Sequence, residues 1–248
     1  MKKRFFLCTF VAMLFITLVG CSKDENDDIS ITSSKNIELT SNGTSQINCS
    51  DSKATYSSED EYVATVSNSG LITAKRIGET YIDVNGQKSI KVTVNPLIKS
   101  FIEPQLLFGA TKDEVYSKVG NNYATSNDSG IGYKTDGNVK AYVYLMENGK
   151  VVAVSMTVSS LYVKTITSFL LERYVPATIS DKNYTAIYIN ALNLEKATMT
   201  IAEQIYSTSL INVIYMPYDN KASKSRAEEN NPNFIYQANE IMKQLNLQ

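Results

Sequence analysis

Val63-Ala64-Thr65-Val66, Ser69-Gly70-Leu71-Ile72-Thr73-Ala74-Lys75 and Ile77-Gly78-Glu79-Thr80-Tyr81-Ile82-Asp83-Val84 follow one another with little between them. Each hydrophobic run is short, alternates with polar residues and stops at a turn signal, the pattern of strands and not of helices. Asn68-Ser69-Gly70 is such a signal, because glycine reaches positive φ without a Cβ penalty. Working outward, Ile37-Glu38-Leu39 precedes Ser41-Asn42-Gly43, and residues 44–49 and 54–57 give two more strand candidates. On the other side, Asn85-Gly86 joins residues 80–84 to Ile90-Lys91-Val92-Thr93-Val94, and Asn-Gly between alternating runs is a strong hairpin signal. Strands this short and this evenly spaced predict an all-β sandwich over residues 31–95.

The wording of that segment resembles the bacterial Ig-like domain of group 2. Tyr56-Ser57-Ser58, Val63-Ala64-Thr65-Val66, the run from Ser69 to Lys75 and Ile77-Gly78-Glu79-Thr80-Tyr81-Ile82 carry the resemblance. The family usually has Trp where this chain has Tyr56, and an Ala-rich stretch where it has Glu79 and Tyr81. The resemblance implies an Ig-like sandwich of the sort found in intimin-like adhesins and other surface proteins, often as a spacer. Its glycines and hydrophobes determine a fold and identify no ligand.

Upstream, Lys2, Lys3 and Arg4 precede residues 5–19, which are almost wholly apolar. That run is short for a bilayer span, which needs about 20 residues, and ordinary for a secretory leader. Residues 1–20 are therefore expected to be a signal peptide. The ending Leu18-Val19-Gly20-Cys21 resembles the lipobox of bacterial lipoproteins. The resemblance implies that Cys21 carries acyl chains and anchors the protein in the outer membrane, each buried CH₂ contributing about 0.8 kcal/mol. Residues 21–30 read as a solvated tether, of which residues 22–28 are mostly charged and hold no hydrophobe. Ser22-Lys23-Asp24-Glu25 also resembles the Lys-then-acidic signal of surface-exposed lipoproteins of the Bacteroidetes, which implies that the protein faces the cell exterior. Asp24-x-Asn26-x-Asp28 imitates a calcium loop, but Ile29 and Lys35 occupy the positions where that loop needs Gly and Glu.

Composition narrows the chemistry. The 248 residues include no His and no Trp, so the commonest general base and the commonest metal ligand are missing. Three of the 24 basic residues and none of the 25 acidic ones lie in the leader, which leaves a mature charge of about −4. No basic patch is present to neutralise phosphates, so nucleic acid is not an expected partner. Of three cysteines, Cys8 leaves with the leader and Cys21 is lipidated; Cys49 reads as a small buried hydrophobe. Ser50-x-x-Lys53 falls in a predicted sandwich loop, away from the helix start that a Ser-Lys dyad needs. Glu103, Asp113, Glu114, Asp136, Glu147, Glu172, Asp181 and Glu203 show no spacing that singles out a facing pair, and read as solvated surface and caps. Neither an enzyme nor a cofactor is expected.

Beyond Pro96 the pattern changes. Residues 96–218 read as an α+β domain, with a duplicated α-β-β-β unit that forms an antiparallel sheet with helices on one face. Thr111 and Glu114 form a capping-box signature for a first helix that stops near Gly120. Strands follow near 130–134, at 140–147 and at 150–158, the last two joined by Asn148-Gly149. Residues 161–174 then give a second helix, stopped by Pro176, and strands at 184–191, 197–206 and 210–216 complete the echo. The element order is similar to tandem-repeat β-lactamase inhibitor proteins and to small outer-membrane assembly lipoproteins, a likeness carried by Phe108-Gly109-Ala110-Thr111-Lys112-Asp113-Glu114-Val115 and Gly120. Residues 219–248 read as a polar linker followed by an amphipathic helix in which Phe234, Ile235, Ala238, Ile241, Met242 and Leu245 share a face.

One candidate binding surface emerges. In Ala141-Tyr142-Val143-Tyr144-Leu145-Met146 the tyrosines point opposite to the aliphatic residues. Ser155 and Thr157 alternate with Val154, Met156 and Val158 on the paired strand, and the second half offers Tyr188, Asn190, Thr198 and Thr200. A sheet face of tyrosines among hydroxyls and amides would suit an extracellular glycan or protein. The expected function is thus a non-enzymatic surface lipoprotein, its Ig-like spacer presenting a binding domain. The alternative is a protein inhibitor or an envelope-assembly accessory.

Overall fold

The computed structural model describes residues 30–180, 185–219 and 240–245. The signal peptide, Cys21 and all of the tether except Ser30 lie outside the described residues, as do residues 220–239 of the tail.

The first domain is a two-sheet sandwich. Strands β1 (Asn36–Thr40), β7 (Gln87–Asn95), β6 (Gly78–Val84) and β3 (Tyr56–Ser58) form one sheet in that order. The other consists of β2 (Thr44–Gln46), β5 (Leu71–Ala74) and β4 (Ala64–Val66). The alternation read from the sequence places Ile82 and Val84 of β6 and Ile90, Val92 and Val94 of β7 inward, against Ile72 and Ala74 of β5. The turns fall on the residues that tolerate positive φ: Asn42 (64°), Gly70 (78°), Asn85 (50°) and Gly86 (76°).

The path of the chain through this sandwich bears on function. β1 runs parallel to β7, from Asn36 beside Lys91 to Thr40 beside Asn95. Before β1, Ile31 bridges Cys49 and the Ser50 amide donates to the Ser30 carbonyl. Asp51 and Thr55 bond Asn85, at the turn between β6 and β7. The chain therefore enters at one pole of the sandwich and leaves at the other. The nine residues of β7, at about 3.3 Å each, separate the poles by roughly 25–30 Å.

The second domain is built on one eight-stranded sheet. Its first half is α1 (Lys112–Val119), β8 (Thr125–Asn127), β9 (Gly130–Lys134), β10 (Val139–Glu147) and β11 (Lys150–Ser159). Its second half is a 3₁₀ turn (Ser160–Tyr162), α2 (Val163–Leu171), β12 (Val175–Ser180), β13 (Thr185–Ile189), β14 (Met199–Ile205) and β15 (Leu210–Pro217). The sheet order β12-β13-β14-β15-β11-β10-β9-β8 makes each half a meander and joins the halves through β11 and β15. Each unit thus has four strands where three were expected. β12 escaped notice because Pro176 reads as a breaker, yet it sits at a register shift on an edge strand, where no amide is needed. β8 has no hydrophobe to announce it. The α1 capping box forms as expected: the Glu114 amide donates to Thr111 Oγ1 at 3.3 Å, and the Thr111 amide donates to the Glu114 carboxylate at 2.7 Å.

Helices cover both faces of this sheet, which corrects the one-face expectation. Val115 of α1 packs with Ile131, Tyr144 and Val154, and Ile166, Phe169 and Leu170 of α2 pack with Met156, Ile201 and Tyr215. On the opposite face, where residues 240–244 are helical, Ile241, Met242 and Leu245 lie on Ala141, Val143, Ala153 and Ala202. Small side chains there leave room for a helix. At Gly130 an added Cβ would sit 2.4 Å from the Ile241 side chain and 2.5 Å from the Tyr144 carbonyl oxygen. Gly130→Ala is therefore expected to destabilise the second domain by about 1–3 kcal/mol through overpacking. Urea unfolding of the variant beside the wild type measures this.

Candidate functional site

The expected tyrosine face does not form, and the cause is a single extra residue. Next to the Asn148-Gly149 turn, Glu147 pairs with Lys150 and Met146 with Val151. An unbroken ladder would continue by placing Tyr142 opposite Ser155. Instead the register shifts between Leu145 and Met146, so Leu145 pairs with Ala153, Tyr144 with Val154 and Tyr142 with Met156. A one-residue bulge exchanges the faces of everything beyond it. Tyr142 and Tyr144 accordingly join the aliphatic side beneath α1 and α2, while Ser155 and Thr157 oppose Val143 and Ala141 on the other face.

The eight residues proposed as a surface are dispersed. Tyr144 is 1% exposed and packs edge-on to Tyr133. Tyr142 is half-buried and donates to the Ile102 carbonyl at 2.7 Å. Tyr188 is buried and donates to Glu203, which also accepts from Thr167, both at 2.7 Å. Ser155 and Thr157 are fully buried; Thr157 donates to Asn212 at 2.9 Å, and the Ser155 hydroxyl has no hydrogen-bond partner. Asn190 closes the 190–198 loop by accepting from the Thr198 and Met199 amides and donating to the Thr198 hydroxyl. Thr200 is half-buried on β14. Burial pushes the Tyr144 phenol up to about 12.

Where the two domains meet, polar side chains do converge. α2 ends at Glu172, whose carboxylate is 4% exposed. It accepts from the Leu97 amide at 3.0 Å and the Ile98 amide at 3.2 Å, and it pairs with Arg173 at 2.6 Å. The Glu172 carbonyl accepts from the Ile77 amide at 2.8 Å, and the Arg173 carbonyl accepts from the Tyr62 hydroxyl. The first domain and the linker are thus fastened to the same helix end. The Arg173 guanidinium lies 3.6 Å from the centre of the Phe169 ring, donates to the Phe169 carbonyl and reaches Glu103 at 3.5 Å. Glu103 in turn accepts from Tyr174 at 2.7 Å and Tyr215 at 3.0 Å. Burial, and then the Glu103 charge, push both of those phenols up. Burial likewise raises Tyr62 to about 12, against the opposing pull of the Arg76 cation.

Sequence reasoning placed Glu103 and Glu172 among solvated carboxylates, and Tyr62 and Arg173 drew no notice. The backbone amides that Glu172 accepts from are 74 or more residues away in the chain, so no local spacing announces them. Among the described residues, no group of three His, Cys, Asp or Glu could hold a metal, and no helix is long and apolar enough to cross a membrane.

Residues 27–95 match the family model of the bacterial Ig-like domain (group 2). The match ends where β7 ends, so it covers the first sandwich and stops short of the eight-stranded sheet. The Ig-like domain implies a surface or adhesion-type role. No curated protein matches the chain.

Two measurements follow from this geometry. Glu172→Ala removes the acceptor of two linker amides and the nearest carboxylate of the buried Arg173 guanidinium and is expected to cost about 3–5 kcal/mol, whereas Glu172→Gln, which keeps an acceptor oxygen, costs less; chemical denaturation and small-angle scattering read the stability and the splaying of the domains. The raised phenols favour the protonated folded state, so their contribution is intact below pH 10.0, the ordinary tyrosine value, and is lost as pH climbs towards about 12. Stability measured across that window is expected to fall, and to fall less steeply in Tyr144→Phe.

Proposed function

We propose that the protein is a non-catalytic surface lipoprotein of the outer membrane. Cys21 carries the lipid, the Ig-like domain acts as a spacer, and the second domain binds an extracellular protein or glycan. The observation that carries this reading is the path through the sandwich. The chain enters at the pole of the Asn85-Gly86 turn and leaves at the Asn95 pole, where Leu97 and Ile98 are clamped by Glu172. An anchor at Cys21 would therefore sit at the far end of the spacer from the second domain. A stiff joint would hold that domain outward at a set distance instead of letting it fold back on the membrane. The family match to residues 27–95 supports a surface role, and the charged residues 22–28 suit an exposed tether.

The test is Cys21→Ser in the native host. Loss of palmitate labelling and release of the chain from the membrane fraction are expected, and protease added to intact wild-type cells should remove the second domain. Unchanged labelling of the variant, or protection of the wild-type chain in intact cells, would refute the reading.

A further inference from the structure

A cleft of about 510 Å³ opens at the joint between the two domains. One wall comes from the Ig-like domain, with Asn42, Lys75 and Arg76; the other comes from the second domain and linker, with Leu97, Leu171 and Pro176. The walls differ in chemistry. Among the described residues, no carboxylate lies within ion-pairing distance of Lys75 or Arg76. Arg76 stacks over the Tyr62 ring at 4.9 Å, and its Nε has no hydrogen-bond partner. The acid that lines the cleft, Glu172, is already saturated by two amides and Arg173. Opposite the cations, Leu97 is 68% exposed and Leu171 is 43% exposed, an arrangement that leaves apolar area in water at the mouth of a site. None of the lining side chains is aromatic, so the flat platform on which a sugar ring would stack is missing.

The geometry points to this cleft as the binding site for an acidic, aliphatic peptide segment of a partner protein, a carboxylate meeting Lys75 and Arg76 and an aliphatic side chain resting on Leu97 and Leu171. This rests on the surface-binding reading above and moves its site from the sheet face to the joint. Clefts between domains are a favoured place for ligands, and a cation pair beside apolar area rewards this combination of groups over either alone. Because both walls are fastened through Glu172, the site is pre-organised, which lowers the entropy lost on binding.

Full chain carrying Cys21→Ser is titrated with a dye-labelled peptide alternating Asp and Leu, and fluorescence anisotropy is followed. Without the anchor, the result is independent of where the chain resides in the cell, so failure here and failure of the lipoprotein reading are separate outcomes. Saturable binding is expected, weakened about tenfold by Lys75→Glu and severalfold by Leu97→Asn, with melting temperatures unchanged. Raising salt from about 0.05 to 0.5 M should weaken it as well. Equal binding of a control peptide in which every Asp is replaced by Asn, indifference to Lys75→Glu, or no saturation by about 1 mM overturns the site. Preference for oligogalacturonate over the peptide overturns the assignment of a protein partner.

Discussion

The carboxylate of Glu172 fixes how the two domains relate. It is buried at the end of α2, where a charge without partners would be prohibitive. It is tolerated because the linker amides of Leu97 and Ile98 turn towards it and Arg173 closes on it at 2.6 Å. The same helix end offers its carbonyls to Ile77 and Tyr62 of the Ig-like domain. A linker that would otherwise be a hinge becomes part of a hydrogen-bonded corner. Interfaces between domains of one chain generally permit relative motion; here charge-assisted bonds to backbone amides oppose it. The angle between the Ig-like domain and the second domain, and the shape of the cleft beside it, both follow from this corner.

Within the second domain the equivalent constraint is the bulge beside Val152. It sends Tyr142 and Tyr144 under the helices and gives the other face Ala141, Ala153, Ser155 and Thr157. That face is shallow enough for a helix to lie across it, and Ile241, Met242 and Leu245 do so, touching the glycines of β9. Of the residues that looked most like a ligand platform, Tyr144, Ser155, Thr157 and Tyr188 are buried in the core. The Tyr188 hydroxyl is satisfied by Glu203 and that of Thr157 by Asn212, while the buried Ser155 hydroxyl has no partner. Outside the sheet, the interdomain cleft combines the exposed Leu97 and Leu171 with Lys75 and Arg76, which have no carboxylate partner among the described residues.

Much of the architecture was written locally in the chain. The alternation of β6 and β7, the Asn-Gly turns and the Thr111–Glu114 cap each depend on residues a few positions apart, whose φ preference or side-chain period acts before any tertiary contact exists. The order of elements in the two halves was legible for the same reason. β8 and β12 were not, since an edge strand can be polar or carry a proline without loss.

Faces and partners were decided only by the tertiary structure. Side-chain period gives the two sides of a strand but not which side meets α1 and α2. One bulged residue exchanges them, and nothing in residues 139–159 marks where it falls. Likewise Glu172 and Arg173 sit at an ordinary helix end in the sequence; their importance comes from Leu97, Ile98 and Glu103, brought to them across the fold. Local chemistry set the elements, while long-range packing chose which side chains became core, clamp and cleft.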